Sequence, residues 1–358
     1  MSAPQTTVDL DDTEGLLEAD RDGLLRAAAT AGAQVRATAS TLDEGALELV
    51  AGGQRPRTVI WVAGRGPAET AGAMLAAALG GAAGEPIVVA AESPPWIGPL
   101  DVIVVAGDDP GDPALVTAAA TAVRRGARVV VAAPYEGPLR DATAGRAAVL
   151  APRLWVPDEF GLSRYLAAGL ATLHAVDPAL PADLATLADE LDAEALRNSA
   201  GREVFTNPAK ALAERMSGRQ VVLAGDCGAT MALARHAAVV LLRLARQAVA
   251  AAGLADVMVA LRTGITTQFR DPVSSLFHDE EIDGPLPSRP RVLALTLAAE
   301  RAAVAARVAG FDDVDLVGAE DIGEAGSVAV QTGRPEQQLA VLAVRLEMAA
   351  VYLKLVGG

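Results

Sequence analysis

One pattern, repeated along the chain, limits what it can fold into. A short run of Val, Ile, Ala and Leu stops at Gly or Pro and hands over to a helical stretch rich in small residues. "RTVIWVAG" (57–64) leads into "RGPAETAGAMLAAALGG", and "EPIVVAAE" (85–92) and "DVIVVAG" (101–107) are further runs of the same kind. "DPALVTAAATAVRRGA" reads as a helix with an acid at its start and arginines at its end, as the helix dipole favours. "RVVVAAP" (128–134) and "RAAVLAP" (146–152) complete a first set of strands. Apolar runs without polar alternation are buried on both faces, and their alternation with helices implies parallel sheets with helices on either side.

The pattern then starts again. "NPAKALAERMSGR" (207–219) is a short helix stopped by Gly218, and "QVVLAGDCGA" (220–229) is a strand running into a Gly-containing loop. A long helix is expected over 230–252, followed by strands at "ADVMVAL" (255–261), "RVLALTL" (291–297) and "DVDLVGAE" (313–320). "AERAAVAARVAGF" and "PEQQLAVLAVRLEMAAVYLKL" are helices, and the second is apolar around much of its circumference, which predicts burial against the first half or a second subunit. Between the halves lies an acidic, Pro-interrupted helical stretch. The expected organisation is a polar start over 1–20, a first α/β domain with a linker helix over 21–200, and a second α/β domain over 201–358. At 358 residues the chain fits two domains.

Composition narrows the partners. Hydrophobic residues make up 51% and aromatics 3%, a mixture that suits parallel strands packed by small-residue helices. A net charge of −15 repels phosphate backbones and anionic lipid, so neither nucleic acid nor a membrane surface is an expected partner. The most apolar long segment, "ALARHAAVVLLRLARQAVAAAG", carries three arginines and a histidine, and the polar, acidic start does not resemble a signal peptide. A cytoplasmic protein is expected. The single cysteine, Cys227, excludes an intrachain disulfide and a Cys-rich zinc site.

In open parallel sheets, ligands sit beyond the carboxyl ends of the strands, where helix N-termini present unpaired N–H groups. Three loops qualify. "GRGPAET" offers Gly64 and Gly66 for close backbone approach, Arg65 for charge and Thr70 as a hydroxyl, although it is not a dinucleotide fingerprint and also reads as a tight strand-to-helix turn. "GDDPGDP" carries Asp108, Asp109 and Asp112, which repel a phosphate and read best as a solvated acidic helix cap. "GDCGAT" places Thr230 at a helix start, where it can help cradle an anion against the opposing charge of Asp226, and Cys227 there reads as a small buried residue. His174 and His236 lie on Ala/Leu-rich helices and read as packing or surface residues.

The tandem layout, "NPAKALAERMSGRQVVLAG", "FHDEEIDG" and the ending "EMAAVYLKLVGG" together resemble the bifunctional phosphoglucose/phosphomannose isomerase family, built from two sugar-isomerase-type (SIS) domains, and most closely its divergent actinobacterial members. The resemblance covers most of the chain from about residue 20. It implies two tandem SIS-type domains, a homodimer without cofactor or metal, and aldose–ketose isomerisation of a hexose phosphate. "FHDEEIDG" places His278 at the family's ring-opening histidine and Glu281 at its neighbouring glutamate, with one inserted residue. The match departs elsewhere. The family's Ser/Thr-rich phosphate loop is replaced by "AGDDPGDP". Its Pro-Arg pair leaves only Arg164 in "VPDEFGLSRYL". The region of its catalytic glutamate reads "LLRLARQAVAAAG", without a carboxylate, and Lys354 is a poor stand-in for its C-terminal lysine.

His278, Glu280 and Glu281 are therefore the candidate acid–base residues, since histidine titrates in the useful range and a glutamate beside it can take the missing base's place. The same segment also reads as an exposed helix start whose acids favour the dipole. Two functions follow: a sugar-phosphate isomerase with a rebuilt site, or a non-catalytic SIS protein that binds a sugar phosphate or a partner for regulation.

Overall fold

The computed structural model describes residues 8–263, 290–321 and 333–357. Three short helices open it: α1 (Thr13–Ala19), α2 (Leu24–Ala28) and α3 (Ala31–Asp43). A first sheet follows, made of β1 (Thr58–Val62), β2 (Ile87–Ala90), β3 (Asp101–Ala106), β4 (Arg128–Ala132) and β5 (Ala147–Val149). Its strands are all parallel in the order β2-β1-β3-β4-β5. Helices α4 (Gly66–Leu79), α5 (Pro113–Arg124) and α6 (Gly137–Thr143) connect them.

Alternation along each strand divides the side chains between two layers. Ile60, Val62, Ile103, Val105, Val129 and Val131 face α5 and α6, where Leu115, Ala118, Ala122 and Leu139 complete a small core. Val59, Trp61, Val102, Val104 and Val130 face the other way, into a much larger core shared with the second half. Trp61 needs room there. A Cβ on Gly72 would lie 2.3 Å from its ring, and its indole N–H donates to the Ala68 carbonyl at 2.8 Å.

Helices α7 (Leu162–Val176) and α8 (Leu184–Arg197) carry the chain to α9 (Pro208–Met216) and a second parallel sheet. That sheet contains β6 (Val221–Gly225), β7 (Ala250–Gly253), β8 (Arg291–Leu295) and β9 (Val314–Val317) in the order β7-β6-β8-β9. Its helices are α10 (Gly228–Ala245), α11 (Leu254–Thr263), α12 (Arg301–Val308) and α13 (Pro335–Gly357). The same two-faced division recurs: Val222, Ala224, Val292 and Ala294 meet α11 and α12, while Val221, Leu223, Leu293 and Leu295 enter the shared core. Two parallel sheets flanked by helices are therefore present, as the sequence predicts.

One stretch departs from that reading. The long helix does not run over 230–252, and "ADVMVAL" is not a strand. Helix α10 stops at Ala245, where Arg246 adopts a left-handed conformation (φ 54°) and its N–H returns to the Leu241 carbonyl. The alanines 250–252 and Gly253 then pair with β6 as β7, and 254–263 are helical. An alanine run has no strand signature of its own, so register against Val222–Gly225 decides the matter; a short apolar run such as 255–261 fits either element. Helix α10 is the one described helix long and apolar enough to cross a membrane, but half of it is buried, packed against α4 and α13, and it serves as a core helix.

Helix α13 is the centre of the molecule. It packs against α1, α2, α4, α7, α8, α9 and α10, and its side chains are buried around nearly the whole circumference. That arrangement places charged residues inside, and they are paired. Arg345, 1% exposed, donates from Nε to Glu194 Oε1 on α8 at 2.7 Å and from Nη1 to the Gly318 carbonyl beyond β9 at 2.7 Å. Glu194 also accepts from Arg197 Nη2 at 2.8 Å and Asn198 Nδ2 at 2.6 Å. Tyr352 donates its hydroxyl to the Asn198 carbonyl at 2.6 Å.

The "NPAK" phrase belongs to this framework. Asn207 caps α9 by accepting from the Lys210 N–H, Pro208 occupies a first-turn position that needs no donor, and the buried Lys210 ammonium donates to the carbonyls of Ala200 and Arg202.

Burial alone raises the pKa of Glu194, but the guanidinium groups of Arg345 and Arg197 outweigh it and hold the carboxyl below its ordinary value. The folded pKa is therefore depressed, so this contribution to stability is complete above the unfolded value and is lost as pH falls through the folded one. Glu194→Gln is expected to cost ~3–5 kcal/mol in chemical denaturation at pH 7, because Arg345 remains buried without its counter-charge. The same variant should show a shallower loss of melting temperature between pH 5 and the acid limit than the parent (the ordinary carboxylate value lies at about 4.3). A parent-like stability for the variant at pH 7 contradicts this assignment.

Candidate functional site

In a sheet ordered β2-β1-β3-β4-β5, the strand order reverses between β1 and β3, and the loops leaving their carboxyl ends diverge to open a crevice. A cleft of about 400 Å³ lies there. The first half supplies Arg65 and Gly66 after β1, Asp108 after β3, Asp158 from a 3-10 turn (Asp158–Phe160), and Arg164 and Tyr165 from the first turn of α7. The second half supplies Val239 and Arg243 from α10, so the cleft lies between the halves.

The sequence-derived residues divide. Arg65 and Gly66 lie on the rim, and Gly66 has φ +66°, the left-handed region that favours glycine. Gly64 is exposed in the same turn, with nothing within 4 Å of a Cβ added there. Thr70 lies one helical turn further on, and its hydroxyl donates back to the Gly66 carbonyl at 3.2 Å. Thr230 is apart from these four. It is fully buried, its oxygen accepts from the backbone N–H groups of Asp226 (3.0 Å) and Cys227 (3.1 Å), and it lines neither this cleft nor its neighbour. Its hydroxyl is engaged in closing the β6–α10 turn, against which Cys227 Sγ packs at 3.4 Å. His278, Glu280 and Glu281 lie outside the described residues.

The acidic loop after β3 also divides. Asp109 accepts from the Gly111 N–H at 2.8 Å within the loop, and Asp112 caps α5 through the Ala114 N–H at 2.8 Å, so Asp112 is the helix-capping acid the sequence suggests. Asp108 faces the cleft, 3.8 Å from Arg65 Nη2 and close enough to Asp158 to raise its pKa. The Asp158 carboxyl is pushed above its ordinary value, first by burial and then by the negative charge of Asp108, with Arg243 opposing. Arg243 is itself held by Glu159 at 2.8 Å.

Arg164 donates to the Tyr165 hydroxyl and lies over its ring, 4.4 Å from the centroid. Its Nε is buried without a hydrogen-bond partner. Burial raises the Tyr165 pKa, so the phenol keeps its proton at neutral pH. The result is a carboxyl pair surrounded by three guanidinium groups, with a phenol alongside. Such a set can hold an anionic head group on the arginines while a carboxyl of raised pKa exchanges protons with the rest of the ligand.

Sequence reasoning missed Asp158, Tyr165 and Arg243. "VPDEFGLSRYL" does carry a local signal, since a Pro-ended extended stretch, two acids and an Arg-Tyr pair meet at a helix start. Arg243 carries none, because its relevance depends on how α10 docks against the first half.

A second lobe of about 200 Å³ adjoins the first along the α4–α10 seam, and the two share Gly66, Pro67, Val239 and Arg243. Thr70 and Glu69 form part of its wall, with His236 among its lining residues.

No family model matches the chain, and no curated protein matches its sequence. Solved structures do share its architecture. Tagatose-6-phosphate ketose/aldose isomerase from Escherichia coli is 16% identical with a TM-score of 0.61, over 99% of this chain and 96% of that chain. A candidate phosphosugar isomerase from Silicibacter pomeroyi is 16% identical with a TM-score of 0.60, over 92% of this chain and 96% of that chain. The C-terminal domain of glucosamine-fructose-6-phosphate aminotransferase from Francisella tularensis is 11% identical with a TM-score of 0.56, over 99% and 98% of the two chains. At these identities the likeness is one of fold: the chain carries the tandem SIS-type α/β architecture, with two parallel sheets around a shared helical core.

Proposed function

We propose that this chain binds a hexose phosphate in the cleft between its halves and interconverts the aldose and ketose forms. The observation that carries the reading is the Asp158 carboxyl, raised by burial and by Asp108, beneath Arg65, Arg164 and Arg243. The fold is consistent with it, since solved proteins of this architecture include a ketose/aldose isomerase, although fold alone does not determine chemistry.

Aldose–ketose isomerisation moves a proton between adjacent carbons through an enediol. A base removes the C–H proton beside the carbonyl, the carbonyl oxygen gains a proton, and the hydroxyl on the neighbouring carbon loses one as the new carbonyl forms. The base works best when its pKa lies well above that of a free carboxyl, so that it is strong enough to take the proton and still able to return it. Asp158 meets that condition better than a solvated aspartate. Tyr165, protonated at neutral pH, supplies an O–H to the developing enediolate oxygen. The phosphate pairs with the guanidinium groups that line the cleft, and the turn around Gly64 and Gly66 lets it approach the backbone. His278 retains the ring-opening role that the sequence resemblance implies, and Glu280 or Glu281 remains the alternative base.

A coupled assay with fructose 6-phosphate tests this, reading glucose 6-phosphate and mannose 6-phosphate. Asp158→Asn is expected to lower kcat by about 100-fold or more, the scale of general acid–base catalysis. Melting-temperature stabilisation by millimolar fructose 6-phosphate should persist in that variant. Turnover that survives Asp158→Asn but vanishes in His278→Ala moves the proton transfer to the 278–281 segment. Thermal stabilisation without turnover at high enzyme concentration favours the regulatory binding reading instead.

Arg164→Ala separates binding from chemistry. It should raise KM by about tenfold or more with a smaller effect on kcat, as expected when a charge-assisted phosphate contact is removed. Unchanged KM in that variant, with no stabilisation of the parent by any hexose or hexosamine phosphate, contradicts the sugar-phosphate reading altogether.

A further inference from the structure

Two buried ionisable groups take no part in the chemistry above. His236 on α10 and Glu347 on α13 meet with Nε2 and Oε1 2.9 Å apart, at side-chain exposures of 4% and 3%. Around them the α10–α13 contact is apolar, with Leu233, Ala237, Val240 and Val344 all buried. A buried ion pair or polar pair in such a setting is no more stabilising than well-packed apolar residues of the same volume, so packing stability does not account for it.

Its position does suggest a use. His236 lines the second lobe together with Ala73 of α4 and Val240 of α10, and that lobe shares Gly66, Pro67, Val239 and Arg243 with the arginine cleft. Glu347 occupies one ring nitrogen from the core side. The other, Nδ1, has no hydrogen-bond partner among the described residues, on a ring that lines the lobe. A carboxylate that fixes one imidazole nitrogen from within the core sets the ring's orientation and tautomer and leaves the second nitrogen to meet a ligand.

We propose that the second lobe belongs to the ligand site and that His236 is its specificity-determining residue, Nδ1 bonding a hydroxyl at the end of the sugar remote from the phosphate. Glu347 is the positioning residue that holds the ring for this contact. The proposal rests on the sugar-phosphate reading and adds to it which face of α10 reads the sugar. It gives the two lobes different tasks, Arg65 and Arg164 for the anion in the first and one imidazole for the polyol in the second, with Arg243 lining both and Arg235 the second alone.

The chain has three histidines, so imidazole ¹⁵N spectra of labelled protein contain three ring systems, assignable with His174→Gln, His236→Gln and His278→Gln. Fructose 6-phosphate is expected to shift the His236 nitrogens. Inorganic phosphate, expected at Arg65 and Arg164 in the first lobe, should leave them in place. His236→Gln keeps an amide group to bond Glu347 while removing Nδ1, and is expected to weaken fructose 6-phosphate binding by about tenfold without changing the affinity for inorganic phosphate. Glu347→Gln should alter the His236 tautomer signature and weaken fructose 6-phosphate in the same direction. Fructose 6-phosphate binding that leaves the His236 nitrogens unmoved, with His236→Gln within twofold of the parent, overturns this proposal alone. Failure of the sugar phosphate to move either the melting temperature or any imidazole overturns it together with the sugar-phosphate reading.

Discussion

The Arg345 guanidinium is the interaction on which the rest of this structure depends. It links three elements: Glu194 on α8, the carbonyls of Gly318 and Ala319 beyond β9, and, through its own backbone, helix α13. Two parallel sheets with one open face each would otherwise be separate domains with a wet seam. Helix α13, apolar on nearly every side, fills that seam, and the paired charges fix which way it faces. Replacing such a pair by apolar residues need not cost stability, but leaving one member behind does, so a pair of this kind acts mainly to define a single arrangement. The relative placement of α4 and α10, and hence the cleft between the halves, follows from that arrangement.

The cleft depends on a second balance, between charges that attract and charges that repel. Asp108 and Asp158 are brought together from the loop after β3 and the region after β5, and neither is engaged by a local backbone N–H as Asp109 and Asp112 are. Burial, and then the like charge of Asp108, raise the pKa of Asp158, which makes its carboxyl a better base than a solvated aspartate. Arg65 and Arg243 moderate the repulsion, and Arg164 retains an unpaired donor. A solvated acidic turn would show none of these features.

How much of this is legible in the sequence depends on the range of the interaction. The first sheet is, because "RTVIWVAG", "DVIVVAG" and "RVVVAAP" carry their burial in their own composition. The strand at 250–253 is not, since "AAAG" takes its identity from pairing with β6, and the helix at 254–263 was hidden in a run that suits either element. The loop after β1 points to Arg65 and Gly66 because a parallel strand followed by a helix dictates where its turn lies. Thr230 looks equally suitable on the same rule, but its hydroxyl closes its own turn, a local competition that sequence spacing does not reveal. Arg243, His236 and Glu347 gain significance only from the docking of α10 against α4 and α13, contacts made across more than a hundred residues of chain in the case of His236 and Glu347. The role of His236 as simple packing, a fair reading of an Ala/Leu-rich helix, omits the carboxylate beside it.

The central claim is that the seam between the halves is a phosphosugar site organised by three arginines around a carboxyl pair. A crystal structure with glucose 6-phosphate bound tests it most directly. The account requires the phosphate within hydrogen-bonding distance of Arg164 and of Arg65 or Arg243, and the sugar directed towards Asp158. A phosphate bound at the β6–α10 turn instead, or an empty seam in crystals grown at saturating ligand, contradicts it.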